Sequence, residues 1–183
     1  MTSINIRVRP ALPDDSLAMA EIHVTTWQTD YRGFAPDDYL ADLSVSRERR
    51  AYLEIVEGPD TAAYVAEDVT GRVVGLTTCG PYRDEGYLLD GEFSGELYNL
   101  YVVADVRKTG AGRELVRAAA RGLLSRGVTS MMLWTFEEYA SNTFYPRLGG
   151  RIVGRRQAMI GTKQVNDLAF GWEDTAVIMD GQT

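Results

Sequence analysis

The stretch LYVVADVRKTGAGR (residues 100–113) says more about the fold than any other part of the chain. Its apolar first half has strong strand character, its middle is a cationic turn, and a helix pattern begins near Gly110. The first N–H groups of a helix have no intrahelical partner and carry about half a positive charge. A diphosphate can therefore bind at this helix start, helped by Arg107 and Lys108.

Two common phosphate motifs are absent from this turn. The chain has no Gly-Lys-Ser or Gly-Lys-Thr triplet, which excludes a nucleoside-triphosphate loop. Leu115 stands where the dinucleotide fingerprint needs a third glycine. The remaining alternative is an ordinary connection with solvated arginines, which is the more frequent case for an isolated Gly-x-Gly.

The rest of the chain predicts a mixed α/β domain, with a central mixed sheet flanked by helices. The predicted elements, in chain order, are strand 4–9, helices 13–33 and 36–58, strands 61–67, 72–79 and 96–103, helix 110–126, strand 130–136, helix 137–145 and two strands from residue 150 onward. The order is β-α-α-β-β-β-α-β-α-β-β, and the clear βαβ unit is 96–136.

The loop and a second motif together resemble a known family. Residues 107–112 (RKTGAG) are similar to the pyrophosphate loop of the GNAT superfamily of acyl-CoA-dependent N-acetyltransferases, which reads Gln/Arg-x-x-Gly-x-Gly/Ala. Residues 144–149 (FYPRLG) resemble its Phe-Tyr-x-x-x-Gly motif, and the similarity covers about residues 4–160. The resemblance implies a GNAT-like fold and acetyl-CoA as the co-substrate.

The resemblance also implies where acetyl-CoA binds. The strand before the loop splays from its neighbour and bonds the pantetheine through its backbone, while the loop holds the pyrophosphate. Many members carry an asparagine seven residues before the motif tyrosine, where this chain has Glu138 and only later Asn142. The implied cofactor contacts are Leu100, Val102, Arg107, Lys108, Thr109, Gly110, Ala111, Gly112, Arg113 and Asn142.

Two side chains are predicted to move protons. Keeping an amine with a pKa near 10.4 neutral at pH 7 costs roughly 4.6 kcal/mol, so a base or a water chain is useful. Glu96 lies at the start of the central strand, where members of the family often carry a catalytic glutamate, so the resemblance implies that it is the base, with Glu92 in reserve. The alternative is a strand-end carboxylate that binds a cation or solvent. Tyr145 matches the family tyrosine that protonates the CoA thiolate, and without the resemblance it is an ordinary core aromatic.

The charge pattern predicts the acceptor. Residues 1–104 hold 8 basic and 18 acidic groups, a net of −10, and several acids cluster between residues 84 and 96. We expect them to draw in a small cationic primary amine, with a peptide N-terminus or a lysine side chain as runner-up. An acidic surface that serves only solubility is the alternative. The predicted acceptor contacts are Trp27, Tyr31 and Glu92; Tyr31 begins a segment (31–34) that resembles the one covering the acceptor in related enzymes.

Composition bounds the remaining possibilities. The 183 residues suit one domain (1–183), and the net charge of −7 disfavours nucleic acid. Without an 18-residue apolar run or a signal-peptide pattern, we expect no membrane association and a cytoplasmic location. One cysteine and one histidine exclude an intramolecular disulfide and a zinc site built from several Cys and His ligands, and we expect no metal. The predicted reaction is direct attack in a ternary complex by a chain that acts alone or as a homodimer; a non-catalytic CoA sensor is the competing hypothesis.

Overall fold

The computed structural model describes residues 5–83 and 92–180. Within them, the strands are β1 (Arg7–Pro10), β2 (Ala62–Glu67), β3 (Val73–Pro81), β4 (Gly95–Val102), β5 (Met131–Phe136), β6 (Arg151–Ile160) and β7 (Lys163–Trp172). The α-helices are α1 (Ser16–Asp30), α2 (Asp37–Asp42), α3 (Val45–Glu57), α4 (Ala111–Leu124) and α5 (Val177–Asp180). Short 3₁₀ turns lie at 13–15, 104–106, 140–143 and 145–148. None of the helices described has the length and apolar character needed to cross a bilayer.

The strands form one mixed sheet in the order β1-β2-β3-β4-β5-β7-β6. Neighbouring strands are antiparallel except β4 and β5, which run parallel because α4 connects them. Among the described residues, β4 and β5 pair at two positions, Gly95 with Met131 and Glu96 with Met132. Past Glu96 the two strands separate, which leaves a V-shaped opening in the sheet. The predicted splay is therefore present.

Helices cover both faces of this sheet. On one face, α4 buries an apolar stripe that includes Leu115, Ala119 and Leu123. On the other face, Met19 of α1 and Tyr52 of α3 are buried against β2 and β3. Burying a large apolar side chain contributes roughly 1.5–3 kcal/mol, so both layers hold the strands firmly in place.

The predicted mixed α/β architecture is confirmed, with two differences in the helices. The predicted α-helix over 137–145 is wrong, because the chain forms two 3₁₀ turns there instead. The side-chain amide of Asn142 bonds the Phe136 and Glu137 oxygens at 2.9 and 3.0 Å, and Pro146 has no N–H to continue a helix. The short C-terminal helix α5 has no counterpart in the prediction.

Candidate active site

Backbone groups of β4 face the V-shaped opening. Val103 donates its N–H to the Val74 oxygen of β3 at 3.0 Å. Because successive residues of a strand point their backbone groups to opposite sides, Leu100 and Val102 point theirs away from β3. Both lie beyond the last pair with β5, so this edge of β4 can bond an extended ligand. It is the edge where the resemblance places the pantetheine.

The loop 107–112 presents backbone N–H groups at the start of α4. Gly110 has a φ of 99°, a left-handed conformation that favours glycine, and α4 begins at the next residue. Glu114 donates its N–H to the Gly110 oxygen at 3.1 Å, which is the first turn of the helix closing. The N–H groups of residues 111–113 lie before that bond, at the positive helix end, where a diphosphate fits.

The side chains of the loop offer less than its backbone. The Thr109 hydroxyl donates to the Val106 oxygen at 2.7 Å and so holds the loop itself. A Cβ added at Gly112 would lie 3.6 Å from the Phe144 ring, an ordinary contact distance. Lys108 is exposed, and Arg113 is partly exposed in the first turn of α4. Both cations are therefore close to the proposed phosphate position.

Arg107 points toward α1 rather than toward the start of α4. Its guanidinium is paired with the Asp30 carboxylate at 2.5 Å, and its Nε donates to the Val102 oxygen at 2.9 Å. A direct contact between this side chain and a phosphate would require the Asp30 pair to break. The predicted contribution of Arg107 is thus limited to its backbone while this pair persists.

A cavity of about 350 Å³ lies beside the opening. Its walls are rich in aromatic side chains and contain two arginines and two carboxylates. The described lining residues are Trp27, Tyr31, Tyr39, Arg83, Glu96, Tyr98, Asn99, Leu100, Tyr101, Trp134, Thr135, Phe136, Tyr139, Tyr145, Arg156, Ala158, Met159, Ile160 and Asp167. The cavity therefore brings together parts of α1, α2, β4, β5, β6 and β7.

Trp27 and Tyr31, both predicted to contact the acceptor, lie in this wall. The Tyr31 ring stacks between the rings of Trp27 and Tyr139, with centroids 4.5 and 4.8 Å away. The Trp27 indole N–H donates to the Tyr101 hydroxyl at 2.9 Å. These contacts fix a rigid aromatic wall on the α1 side.

Glu96 also lines the cavity and is only 4% exposed. Its carboxylate accepts three hydrogen bonds from Arg83, namely from the backbone N–H at 3.1 Å, Nε at 3.2 Å and Nη2 at 2.6 Å. To accept a proton, Glu96 must give up part of this pairing. Glu92 is exposed in the turn before β4 and does not belong to the described lining of the cavity.

Tyr145 reaches the cavity from the turn 145–148 and is 8% exposed. It packs against Phe144 and Phe170, with ring centroids 5.3 and 5.1 Å away. Burial raises its pKa to about 12. Complete proton transfer to a thiolate with a pKa near 8.5 is then uphill by roughly 5 kcal/mol, so the hydroxyl suits a hydrogen bond that becomes proton transfer as sulfur departs.

The side chain of Asn142, an implied CoA contact, is hydrogen-bonded to the chain at the end of β5. Its amide nitrogen donates to the Phe136 and Glu137 oxygens, and its amide oxygen accepts from the Thr135 hydroxyl at 3.1 Å. These bonds hold the chain as it leaves β5. Neither Asn142 nor Glu138 lines the cavity, and Glu138 is exposed.

One charged pair in the cavity wall was not predicted. Arg156 of β6 donates from Nε to Asp167 of β7 at 3.0 Å. The two residues are direct cross-strand partners in the β6–β7 hairpin. Predicting their contact from the sequence would have required the register of that hairpin. Within 5–83 and 92–180, no three His, Cys, Asp or Glu side chains are grouped as metal ligands would be.

Comparisons with known proteins agree with this geometry. The profile of the Acetyltransferase (GNAT) family matches residues 19–149. The protein named Uncharacterized N-acetyltransferase YuaI, from Bacillus subtilis (strain 168), is 30% identical over 174 residues, which cover 94% of this chain and 96% of that protein.

Solved structures give the same fold. Ribosomal-protein-alanine N-acetyltransferase from Brucella melitensis superposes with a TM-score of 0.71 and 23% identity, over 91% of this chain and 98% of that one. The yncA structure from Salmonella typhimurium, solved with acetyl-CoA, has a TM-score of 0.70 and 17% identity, over 92% and 93% of the two chains. The GNAT-like fold predicted from the sequence is confirmed.

Proposed function

The chain belongs to the GNAT family and is an acyl-CoA-dependent N-acetyltransferase, and on that premise we propose that it acetylates the primary amine of a small molecule. The observation that carries the proposal is the position of Leu100. Its backbone faces the V-shaped opening, and the residue also lines the cavity. A thioester held along β4 would therefore lie beside an amine held in the cavity, as direct attack in a ternary complex requires.

The cofactor side of the site fits acetyl-CoA, which supplies the thioester. The backbone of Leu100 and the N–H of Val102 would bond the pantetheine, because the Val102 oxygen already accepts from Arg107 Nε. The N–H groups of residues 111–113 would hold the pyrophosphate. Lys108 and Arg113 add positive charge close by. The yncA structure of the same fold holds acetyl-CoA, which supports this assignment.

Glu96 removes the proton from the acceptor ammonium, directly or through water. The freed nitrogen lone pair forms the new N–C bond while the C–S bond breaks and its electrons leave with sulfur. Because Arg83 holds the Glu96 carboxylate, protonation of Glu96 loosens that pair. Tyr145 donates its hydroxyl hydrogen to the departing sulfur and regains a proton from the acylated nitrogen, which leaves a neutral amide and the CoA thiol. Its burial keeps the hydroxyl protonated until sulfur departs.

The size and walls of the cavity favour a small acceptor. A volume of about 350 Å³ is at the lower end of ligand sites, and its walls come from six elements. A protein or peptide amine is the second candidate, because ribosomal-protein-alanine N-acetyltransferase has the same fold. A peptide would have to extend out of the cavity mouth, where Met159 is 61% exposed.

The described residues supply few acidic side chains that would support the predicted preference for a cationic amine. Asp84, Glu85 and Asp90, which motivated it, lie outside them. Glu92 is exposed away from the cavity lining, and Glu96 is paired with Arg83. We therefore propose a small primary amine without assigning it a net positive charge.

An acceptor screen tests the proposal. The protein is mixed with acetyl-CoA and a panel of diamines, amino acids, amino acid carboxamides and short peptides, while free thiol and acetylated product are measured. We expect thiol release that depends on a small amine and matches the product formed. Release with peptides alone would favour the protein acceptor, and acetyl-CoA binding without amine-dependent release would favour the CoA sensor.

A further inference from the structure

The unpredicted ion pair in the cavity wall is held in one orientation. The Arg156 guanidinium lies 4.2 Å from the centre of the Trp134 ring, and its Nε bonds the Asp167 carboxylate. The Arg156 and Asp167 side chains are 16% and 6% exposed. The planar group thus lies over an aromatic ring of β5 and is bonded through its Nε edge to a carboxylate of β7.

Stability alone gives a poor reason for this pair. Taking two charges out of water costs several kcal/mol per ion, and apolar residues of similar size are often as stable. The neighbouring Arg155 shows the ordinary alternative, since it is 61% exposed and pairs with Glu137 at the surface. Arg156 lines the cavity, so a binding role explains its burial better.

The charges of the described lining balance. Arg83 and Arg156 supply two positive groups, and Glu96 and Asp167 supply two negative ones. A net cation gains no overall attraction from these four described groups. A zwitterion is attracted at both ends. Its ammonium can approach a carboxylate of the wall while its carboxylate approaches a guanidinium.

We propose that Arg156 recognises a carboxylate on the acceptor, so that the acceptor is an amino acid or a similar small molecule with one primary amine and one carboxylate. This inference rests on the proposed function and narrows its substrate class. A guanidinium presents donors in a planar fork that matches a carboxylate, and Trp134 and Asp167 orient that fork in advance. Arg83 suits the role less, because its side chain is 54% exposed whereas that of Arg156 is 16% exposed.

Matched acceptors test the proposal. Alanine, leucine, phenylalanine and glutamine are each compared with their own carboxamide, and kcat/KM is measured by thiol release at saturating acetyl-CoA. The amine of a carboxamide is less basic and more often neutral, so intrinsic reactivity favours the carboxamide. We expect at least one amino acid to exceed its carboxamide by about tenfold or more, as a charged hydrogen bond provides.

Variants then assign the preference to one side chain. Arg156→Met should lower kcat/KM for the amino acid by about tenfold or more, mainly through KM, and change the carboxamide by less than about threefold. Arg155→Met is the matched control on the same strand and should leave both values within about twofold. The double variant Arg156→Met/Asp167→Asn removes both charges. It replaces Arg156→Met in this comparison if the single variant does not fold.

Two results overturn the inference and leave the proposed function standing. One is wild-type protein that acetylates carboxamides as well as amino acids or better. The other is an Arg156→Met variant that loses both activities equally, as a purely structural arginine would. Absence of thiol release with every small amine is a different outcome, because it contradicts the proposed function itself.

Discussion

The V-shaped opening and the aromatic cavity beside it meet at Leu100 but are built in different ways. The opening uses main-chain groups of one continuous stretch, from Leu100 to Arg113. The cavity uses side chains that six elements bring together from across the chain. Backbone binding tolerates many sequences, whereas the cavity changes with each side chain. Cofactor choice should therefore be robust to substitution, and acceptor choice should be sensitive.

The largest effect that we expect in this comparison is at Glu96, on the cavity side. Glu96→Gln should lower kcat by about 10²- to 10⁴-fold, the usual contribution of a general base, and leave the Kd of acetyl-CoA unchanged. Stopped-flow thiol release and calorimetry measure the two quantities. Arg83→Met is the control, because it breaks the same ion pair and keeps the carboxylate. If both variants lose activity equally, Glu96 acts by holding Arg83.

The second-largest effect that we expect is a loss of folding stability in acid, because of His23. Its ring stacks on Tyr101 of the cavity wall at 4.8 Å, and burial lowers its pKa to about 4 despite the Glu48 carboxylate 3.3 Å away. Below about pH 6.5, His23 therefore binds a proton in the unfolded chain but not in the folded chain. Stability should fall as the pH drops from about 6.5 to 4, by up to roughly 3 kcal/mol.

Urea unfolding between pH 4 and 7 measures this loss. His23→Gln should flatten the pH dependence, because glutamine does not titrate. If the unfolding free energy of that variant still falls with pH at the same slope, other groups cause the acid sensitivity.

A substitution at Gly110 tests whether the loop beside the V-shaped opening binds acetyl-CoA. Gly110→Val forces a β-branched residue to a φ of 99°, a strain of roughly 1–3 kcal/mol that distorts the N–H groups of the loop. We expect the Kd of acetyl-CoA to rise by about ten- to a hundredfold in calorimetry. Gly71→Val is the matched control, since Gly71 has a φ of 84° and equally open space in the β2–β3 turn. It should lose similar stability and keep its affinity; undiminished affinity in a folded Gly110→Val protein would falsify the placement of the pyrophosphate.

The smallest effect that we expect is at Tyr145. Tyr145→Phe removes the hydroxyl and little volume. We expect kcat to fall by about tenfold, the contribution of one hydrogen bond to a charged group, while acetyl-CoA binding stays the same. Tyr98→Phe makes the same change elsewhere in the cavity, where the hydroxyl bonds the Pro81 oxygen, and should have little effect. Single-turnover kinetics isolates the chemical step. Equal rates in the two variants would assign Tyr145 to packing.

The sequence predicted the local parts of the site well. The loop motif, the strand before it and the splay of β4 from β5 all follow from short-range pattern and resemblance, and the structure contains them. Trp27 and Tyr31 both line the cavity, and their contact with the acceptor stays a prediction. The helix over 137–145 was wrong because Pro146 and the side-chain bonds of Asn142 override a helical pattern there.

By itself, the sequence determined the order of elements and the glycine-rich turn before α4, because both depend on neighbours within a few residues. Only the tertiary structure decided which charges meet. Arg83 lies 13 residues from Glu96, Arg156 lies 11 from Asp167, and Arg107 lies 77 from Asp30. Composition counts such groups as free charges, but folding pairs them when β-sheet register and helix packing bring distant side chains together. The tertiary structure therefore decided which of the described charges meet in the cavity wall.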